Sequence, residues 1–391
     1  MPLESTIKKY YLYNFLKTLS FWLPIFVLYF LNNGLSYAQI MILIVIQSIF
    51  QIIFEVPSGI YADHFGRKNS LIISALLKVL CMSFYYFGNG FLPFSISAAF
   101  FGMSIAFASG SDSAFIYDSL KDLKREKEYK KIEGKAFSYG LLGMAVGSFF
   151  GGFLAEISFK IPILFTLIAF FASTIVALTF NEPQHHKKSE DRAYFKHLKG
   201  AIIFSYNHPR IKWLIVFSGL MVSAMLISHR YFQPYMEMTG IDIKYFGVIY
   251  LGWLFISALS ARFSHIIENK IGEFYSLLII PLFLGFHLII MGKYVFIYGV
   301  LFVLFGEFTW GFIKPVVNDY LNKNVESHHR ATVLSLNGFF QSIIAIMLAP
   351  IFGYIADIFS LTTALFIEGI FVLILGVPII FRIANRAKHA A

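Results

Sequence analysis

Gly59-Ile60-Tyr61-Ala62-Asp63-His64-Phe65-Gly66-Arg67-Lys68 is a short charged stretch wedged between two apolar runs, residues 36–58 and 69–88. A helix rising about 1.5 Å per residue needs about 20 mostly apolar residues to cross a hydrocarbon core of about 30 Å. Both flanking runs meet that length. The stretch therefore reads as a tight turn between two membrane helices, with its cations among the lipid headgroups.

The rest of the chain repeats this pattern. With 58% hydrophobic and 14% charged residues, a soluble globule of 391 residues would lack the polar surface to cover itself. Lipid is the expected solvent. About twelve spans emerge, near 10–32, 36–58, 69–88, 91–116, 134–157, 161–181, 211–236, 244–267, 274–292, 294–316, 331–357 and 361–383. A transmembrane β-barrel would instead show segments of about 10 residues alternating in hydrophobicity, and runs such as Ile161 to Phe180 do not alternate. Met1 to Lys9 is polar and leads into a long apolar run, so no cleavable signal is expected. The single Cys81 excludes an intramolecular disulfide.

Lysine and arginine set the orientation, because positively charged loops stay on the cytoplasmic side. With a cytoplasmic N-terminus, that side collects Lys8, Lys9, Arg67, Lys68, the cations between Lys121 and Lys135 and those between Lys187 and Lys212. Lys160, Arg230, Lys244 and Lys293 are left outside. Both termini are therefore expected in the cytoplasm. The formal charge of +10 is accounted for by loops facing anionic headgroups, with no nucleic acid needed.

An internal repeat divides the chain. Gly152-Phe153-Leu154-Ala155-Glu156-Ile157 matches Gly353-Tyr354-Ile355-Ala356-Asp357-Ile358, and the same register carries Asp118 onto Asp319. Two six-helix bundles are expected, 1–183 and 211–391, joined by a His- and Lys-rich linker at 184–210. Tyr194 to Phe204 within it reads either as a short amphipathic helix on the membrane or, preferably, as solvated linker.

The opening stretch, read as G-x-x-x-D-x-x-G-R-K, resembles the signature loop between the second and third helices of the major facilitator superfamily, a family of secondary transporters. The resemblance implies an all-α membrane fold of twelve helices in two pseudosymmetric bundles, placed in a bacterial inner membrane. In physical terms, Gly59 and Gly66 would allow close helix approach and a positive-φ turn, Asp63 would face helix N-termini, and the Arg67 fork would seek a carboxylate. Asp118, at the cytoplasmic end of the fourth helix, is the natural partner. Gly59, Asp63, Gly66, Arg67, Lys68 and Asp118 are thus expected to form a cytoplasmic latch, against the plainer reading of a merely topogenic basic loop. The matching loop of the second half, Ser260 to Lys270, lacks equivalents of Gly59 and Asp63, so any latch there is expected to be weaker.

Gly134, Gly143, Gly147, Ser148, Gly151 and Gly152 in the fifth span resemble a glycine-rich pattern that the family associates with exporters exchanging substrate for protons, with Ser148 where proline is expected. Physically, small residues at spacings of four let another backbone come close and slide, although ordinary helix packing uses them too. The family's Arg-x-x-Gln-Gly pattern in the fourth span is missing.

Charges inside apolar runs cost on the order of 3 kcal/mol each unless they face a cavity or a partner. Asn14 and Lys17 sit in the first span, Gln47, Gln51 and Glu55 on one face of the second, Asp112 in the fourth, Glu307, Trp310 and Lys314 on one face of the tenth, and Asn337 and Gln341 in the eleventh. The family resemblance places these spans around a central cavity. Asp112 and Glu307 are expected as proton-coupling groups. Glu55 stands next, divided evenly between that role and the latch. Lys17 either neutralises one of these acids or binds an anionic substrate. Lys78, His287 and Glu368 fall on spans the family places at the periphery and are expected to pair structurally or snorkel. His229 and Arg230 are expected at the outer mouth, with Tyr231, Phe232 and Tyr235 as an aromatic belt.

No phosphate loop, cysteine pair or metal-ligand spacing is present, which argues against an enzyme, a metal site, an organic cofactor and an ATP-driven pump. The expectation is a monomeric, proton-coupled secondary transporter in the lipid bilayer, moving a small organic molecule by alternating access and leaning to efflux. A metabolite or siderophore transporter is the alternative, and a non-transporting receptor or scaffold a more distant one.

Overall fold

The computed structural model describes residues 2–183, 205, 207–325 and 330–388. The Tyr194 to Phe204 segment and the histidine pairs 185–186 and 328–329 lie outside the described residues. Among the described residues there is no strand. The helices are α1 (Pro2–Thr18), α2 (Phe26–Asn32), α3 (Tyr37–Phe65), α4 (Arg67–Phe87), α5 (Phe91–Ala108), α6 (Ser111–Asp122), α7 (Tyr129–Ile157), α8 (Lys160–Leu178), α9 (Pro209–Met238), α10 (Phe246–Lys293), α11 (Gly299–Lys323), α12 (Arg330–Ile358) and α13 (Leu361–Lys388). Their backbone groups pair within each segment, which apolar surroundings demand.

Twelve passes result. Four of them depart from separate, uninterrupted spans. The first is split into α1 and α2 by the non-helical turn at 19–25, where Ser20 and Trp22 are buried. The fourth is split into α5 and α6 at Ser109 and Gly110, with Gly110 at φ +68°, a conformation that side chains with a Cβ rarely tolerate. The eighth and ninth run together as α10, interrupted at Gly272 (φ 77°, ψ 174°). The loop expected over Ser260 to Lys270 is therefore helix, and the break falls two residues later.

The chain falls into two compact units. The first takes in the chain up to Leu35, resumes at Leu43 and includes Ile243–Tyr250; the second holds Ser36–Ile42 and resumes at Leu251. In the first unit α4 packs on α5 and α8, and α1 packs on α7 and α8. Its core around α1 joins Tyr10, Tyr13, Leu71, Phe115, Ile132 and Phe180. Phe115 stacks on Phe180 at 4.9 Å, and Tyr13 meets Phe180 edge-on at 5.4 Å. A separate aromatic group of Trp22, Phe30, Tyr85 and Phe94 locks α2 against α4 and α5. In the second unit α9 is the central element, packed against α11, α12 and α13.

The glycine-rich face of α7 has a definite partner. A Cβ at Gly143 would collide with the Phe15 carbonyl, one at Gly147 with the Ser20 backbone, and one at Gly151 with the Phe21 carbonyl. Gly140 extends the same face, its carbonyl accepting the Thr18 hydroxyl at 2.7 Å. The small-residue stripe thus faces the end of α1 and the turn that splits the first pass. Gly134 has open space around it and lies off this stripe. Gly152 points elsewhere, into the first turn of α10, where a Cβ would lie 2.6 Å from the Lys244 carbonyl. Its repeat counterpart, Gly353, meets Ala38 and Tyr37 at the start of α3 in the same manner.

Candidate functional site

The first unit gathers a charged cluster where the first and fourth passes are interrupted. Lys17 lies in the last turn of α1 and Asp112 in the first turn of α6. Helix termini carry partial charges, negative at the C-terminus and positive at the N-terminus, so each side chain sits where its own helix favours its charge. The two form an ion pair with side chains 15% and 26% exposed. Asp112 Oδ1 is buried without a hydrogen-bond partner among the described residues. Around the pair, Lys17 Nζ stands 5.1 Å from the Tyr13 ring centroid, and Lys78 Nζ donates to the Lys17 carbonyl at 3.2 Å. The Tyr10 hydroxyl lies 3.3 Å from the Asp112 carbonyl and 3.4 Å from Glu133 Oε2. Asn14 is buried and donates to the Tyr10 carbonyl at 2.8 Å.

Lys78 thus has a structural partner in the cluster, on a span the resemblance places at the periphery. Glu133, which the sequence does not single out, joins from α7, the helix whose glycine face packs on α1.

On α3, Gln47, Gln51 and Glu55 share one face and are half-buried. A Cβ at Gly102 would collide with the Gln47 carbonyl, so α5 crosses α3 at close range there. Glu55 Oε1 accepts the Ser109 hydroxyl at 2.9 Å, which ties it to the break between α5 and α6.

The signature stretch differs in part from the expected turn. Helix α3 runs on through Gly59 and Asp63 to Phe65, and only Gly66 leaves helical geometry, at φ +98°. Gly59 has nothing within 4 Å of a Cβ position, so it mediates no close approach. Arg67 Nε lies 3.1 Å from Asp118 Oδ2. A further acid completes the arrangement: Glu182 accepts the backbone N–H of Arg67 at 2.7 Å and of Lys68 at 2.8 Å. One carboxylate thus satisfies two free amides at the head of α4, the arrangement that helix N-termini favour. It fills the space beside Gly66 that a larger residue would need.

The second unit holds a second buried acid. Glu307 on α11, its side chain 5% exposed, has Oε1 2.7 Å from His229 Nε2 on α9. Neither atom has a hydrogen-bond partner among the described residues, so the contact is a close approach of acid and imidazole. His229 is enclosed by aromatic rings, with centroids at 5.0 Å for Trp310, 5.4 Å for Phe232 and 6.0 Å for Trp253, the last nearly parallel. Tyr231, Phe232 and Tyr235 are at most 1% exposed, so they form buried packing, not an interfacial belt. Helix α9 continues nine residues beyond His229, and the ring is held among its aromatic neighbours.

Elsewhere in this unit, Gln341 Nε2 donates to Ser218 Oγ at 2.7 Å, and the Gln341 carbonyl accepts the Ser223 hydroxyl at 3.0 Å. Asn337 is buried, while Lys314 is exposed. Asp319, the counterpart of Asp118, pairs with Lys323 at 2.6 Å. Among the described residues, no three or more His, Cys, Asp or Glu are grouped as a metal site would require.

A family model described as Major Facilitator Superfamily matches residues 10–350. The chain belongs to the major facilitator superfamily. It is 25% identical over 361 residues to the uncharacterized MFS-type transporter YxaM of Bacillus subtilis (strain 168), covering 90% of this chain and 89% of that one. It is 26% identical to multidrug resistance protein 1 of the same organism, with 78% and 77% covered. With the quinolone resistance protein NorA of Staphylococcus aureus (strain MRSA252) it shares 23% identity, with 82% and 81% covered. Among solved structures, the nucleoside transporter NupG superposes with a TM-score of 0.83 at 12% identity over 98% of this chain and 99% of that one. The family membership makes this a membrane transporter and not an enzyme, and the structural likeness carries the fold alone.

Proposed function

We propose that the protein is a proton-coupled exporter of small amphipathic organic compounds, working by alternating access in a bacterial inner membrane with both termini in the cytoplasm. The observation that carries this reading is the Glu307–His229 pair inside its ring of Trp253, Trp310 and Phe232. Aromatic faces attract a lipophilic cation, and a buried carboxylate supplies the counter-charge. A proton and an organic cation then compete for the same acid, which is the minimum requirement for exchanging one against the other. His229 occupies the place of the cation when none is bound. Asp112, salt-bridged to Lys17, serves as a second proton-responsive acid in the first unit. Glu55 retains both of its readings, as carrier or as part of the cytoplasmic latch formed by Asp63, Arg67, Lys68 and Asp118. Relatives bearing the names of multidrug and quinolone resistance support the direction of transport.

A second reading has its own observation. Lys17 and Lys78 are adjacent at the break of the first pass, and two cations there suit an anionic metabolite or siderophore.

Proteoliposomes with an imposed pH gradient separate the possibilities. Gradient-driven movement of ethidium or a quinolone, lost in Glu307→Gln, is the expected result. Flux of carboxylates, with none of cations, would support the second reading. Movement that ignores the gradient would defeat proton coupling, and no flux for any compound would favour a receptor or scaffold.

A further inference from the structure

Helix α13 carries an acid that the proposed transport chemistry does not use. Glu368 is 0% exposed, and neither of its carboxyl oxygens has a hydrogen-bond partner among the described residues. It lies eight residues into α13, far from either end of that helix, so its short side chain cannot reach a headgroup or water. The expectation that it pairs structurally or snorkels is not met.

An ionised carboxylate in this position would be deprived of water, counter-ion and donor at once, a penalty far above that of the neutral acid. The groups facing it can be named from every element packed against α13. From α9 comes Tyr231, within Coulomb reach of Glu368, itself 0% exposed and with a hydroxyl that has no partner among the described residues. From the second part of α10 come Gly285, Ile289 and Gly292, which are not titratable. Beyond Tyr231 lie Tyr37 at the head of α3, whose ring meets Tyr231 edge-on at 6.1 Å, and Asp357 at the end of α12. Glu237, at the end of α9, acts electrostatically on Tyr37.

Asp357 gives this row an outlet. It is exposed, and its two oxygens accept the backbone N–H of Tyr37 at 2.7 Å and of Ala38 at 2.9 Å. A titratable row therefore leads from an exposed carboxylate, through two phenol rings, to a sealed one.

We propose that Glu368 is a proton-binding site of this transporter, occupied by a proton in the conformation described and communicating with solvent through Tyr231, Tyr37 and Asp357. Release transfers the proton from the carboxyl O–H to water admitted when the packing around Tyr231 loosens, leaving the carboxylate, to which the Tyr231 hydroxyl then donates. Uptake is the reverse, so charge and atoms balance without any other reactant. Its part in transport rests on the proton-coupled reading above, whereas occupancy of the site does not.

Infrared difference spectroscopy of the purified full chain in lipid nanodiscs, with pH stepped from mildly acidic to alkaline and no substrate added, tests the site itself. The expected result is a protonated-carboxyl carbonyl band that shifts in heavy water, is absent in Glu368→Gln, and persists in Glu307→Gln. In Tyr231→Phe the band should remain, with its loss moved to higher pH because the carboxylate no longer gains a donor. A band unchanged in Glu368→Gln would overturn the proposal. Should Glu368→Gln be poorly folded, Glu368→Asp supplies the second measurement, with a shifted band expected and an unshifted one counting against the assignment. In proteoliposomes carrying ethidium, Glu368→Gln should lower the protons moved per ethidium by one while exchange continues. An unaltered stoichiometry alongside a lost band would keep the site and sever it from transport.

Discussion

At the scale of single residues, the two buried acids are predicted to behave differently on loss of their partners. Lys17→Met strands Asp112, whose second oxygen is already unpartnered, and removing one member of a largely buried pair costs about 3 kcal/mol. Combined with Asp112→Asn, the loss should be clearly smaller than the sum of the two, because the stranded charge is gone. Thermal melting of the purified variants measures both. Asp112→Asn alone is expected to abolish gradient-driven transport while leaving the protein assembled, and retained transport would remove Asp112 from the coupling role. His229→Ala should lower ethidium selectivity more than it lowers stability, since it opens the space among the tryptophans while leaving Glu307 to attract a cation.

At the scale of elements, the stripe on α7 separates glycines required by packing from glycines merely tolerated. Gly147→Val would drive three extra carbons into the Ser20 backbone, and such overpacking costs about 1–3 kcal/mol. Gly134→Ala has open space and helical backbone, so it is expected to raise stability by about 0.5–1 kcal/mol. A melting-temperature comparison of the pair decides whether the stripe is a packing surface. This contrast also measures how far the sequence could be read. The six glycine and serine positions of α7 share a spacing pattern, but spacing alone does not say which of them face a neighbour. Twelve passes were legible because each carries its own apolar length. The splits at 19–25 and at Gly110 were not, since turns within a pass are held by contacts from elsewhere, such as the Phe21 N–H donating to Thr166. Asp112 and Glu307 were identifiable as charges that apolar runs do not tolerate. Glu133, Glu182 and His229 were not, because each lies near a loop or a cluster of charges in the sequence and acquires its role only through the partner that folding supplies.

On the scale of the whole molecule, the two units reuse one plan with different chemistry. Gly152 and Gly353 both press into the start of another helix, yet the acids four residues further on diverge: Glu156 stands 3.6 Å from Lys244, whereas Asp357 caps the head of α3. Gly66 and Gly272 likewise both turn the chain at positive φ, but only the first is followed by an arginine paired across to another helix. On the lysine and arginine asymmetry, residues 121–135 are expected in the cytoplasm. A membrane-impermeant maleimide should therefore label Glu126→Cys in inside-out vesicles and not in intact cells. The native Cys81, fully buried, should stay silent in both. Labelling of Glu126→Cys from outside would invert the topology.

Glu182 has a mechanical corollary. It accepts hydrogen bonds from the two backbone amides at the head of α4. A glutamate distant in sequence thus fastens this helix start beside the Arg67 and Asp118 pair, so an amide substitution at Glu182 is felt by the arginine without touching it.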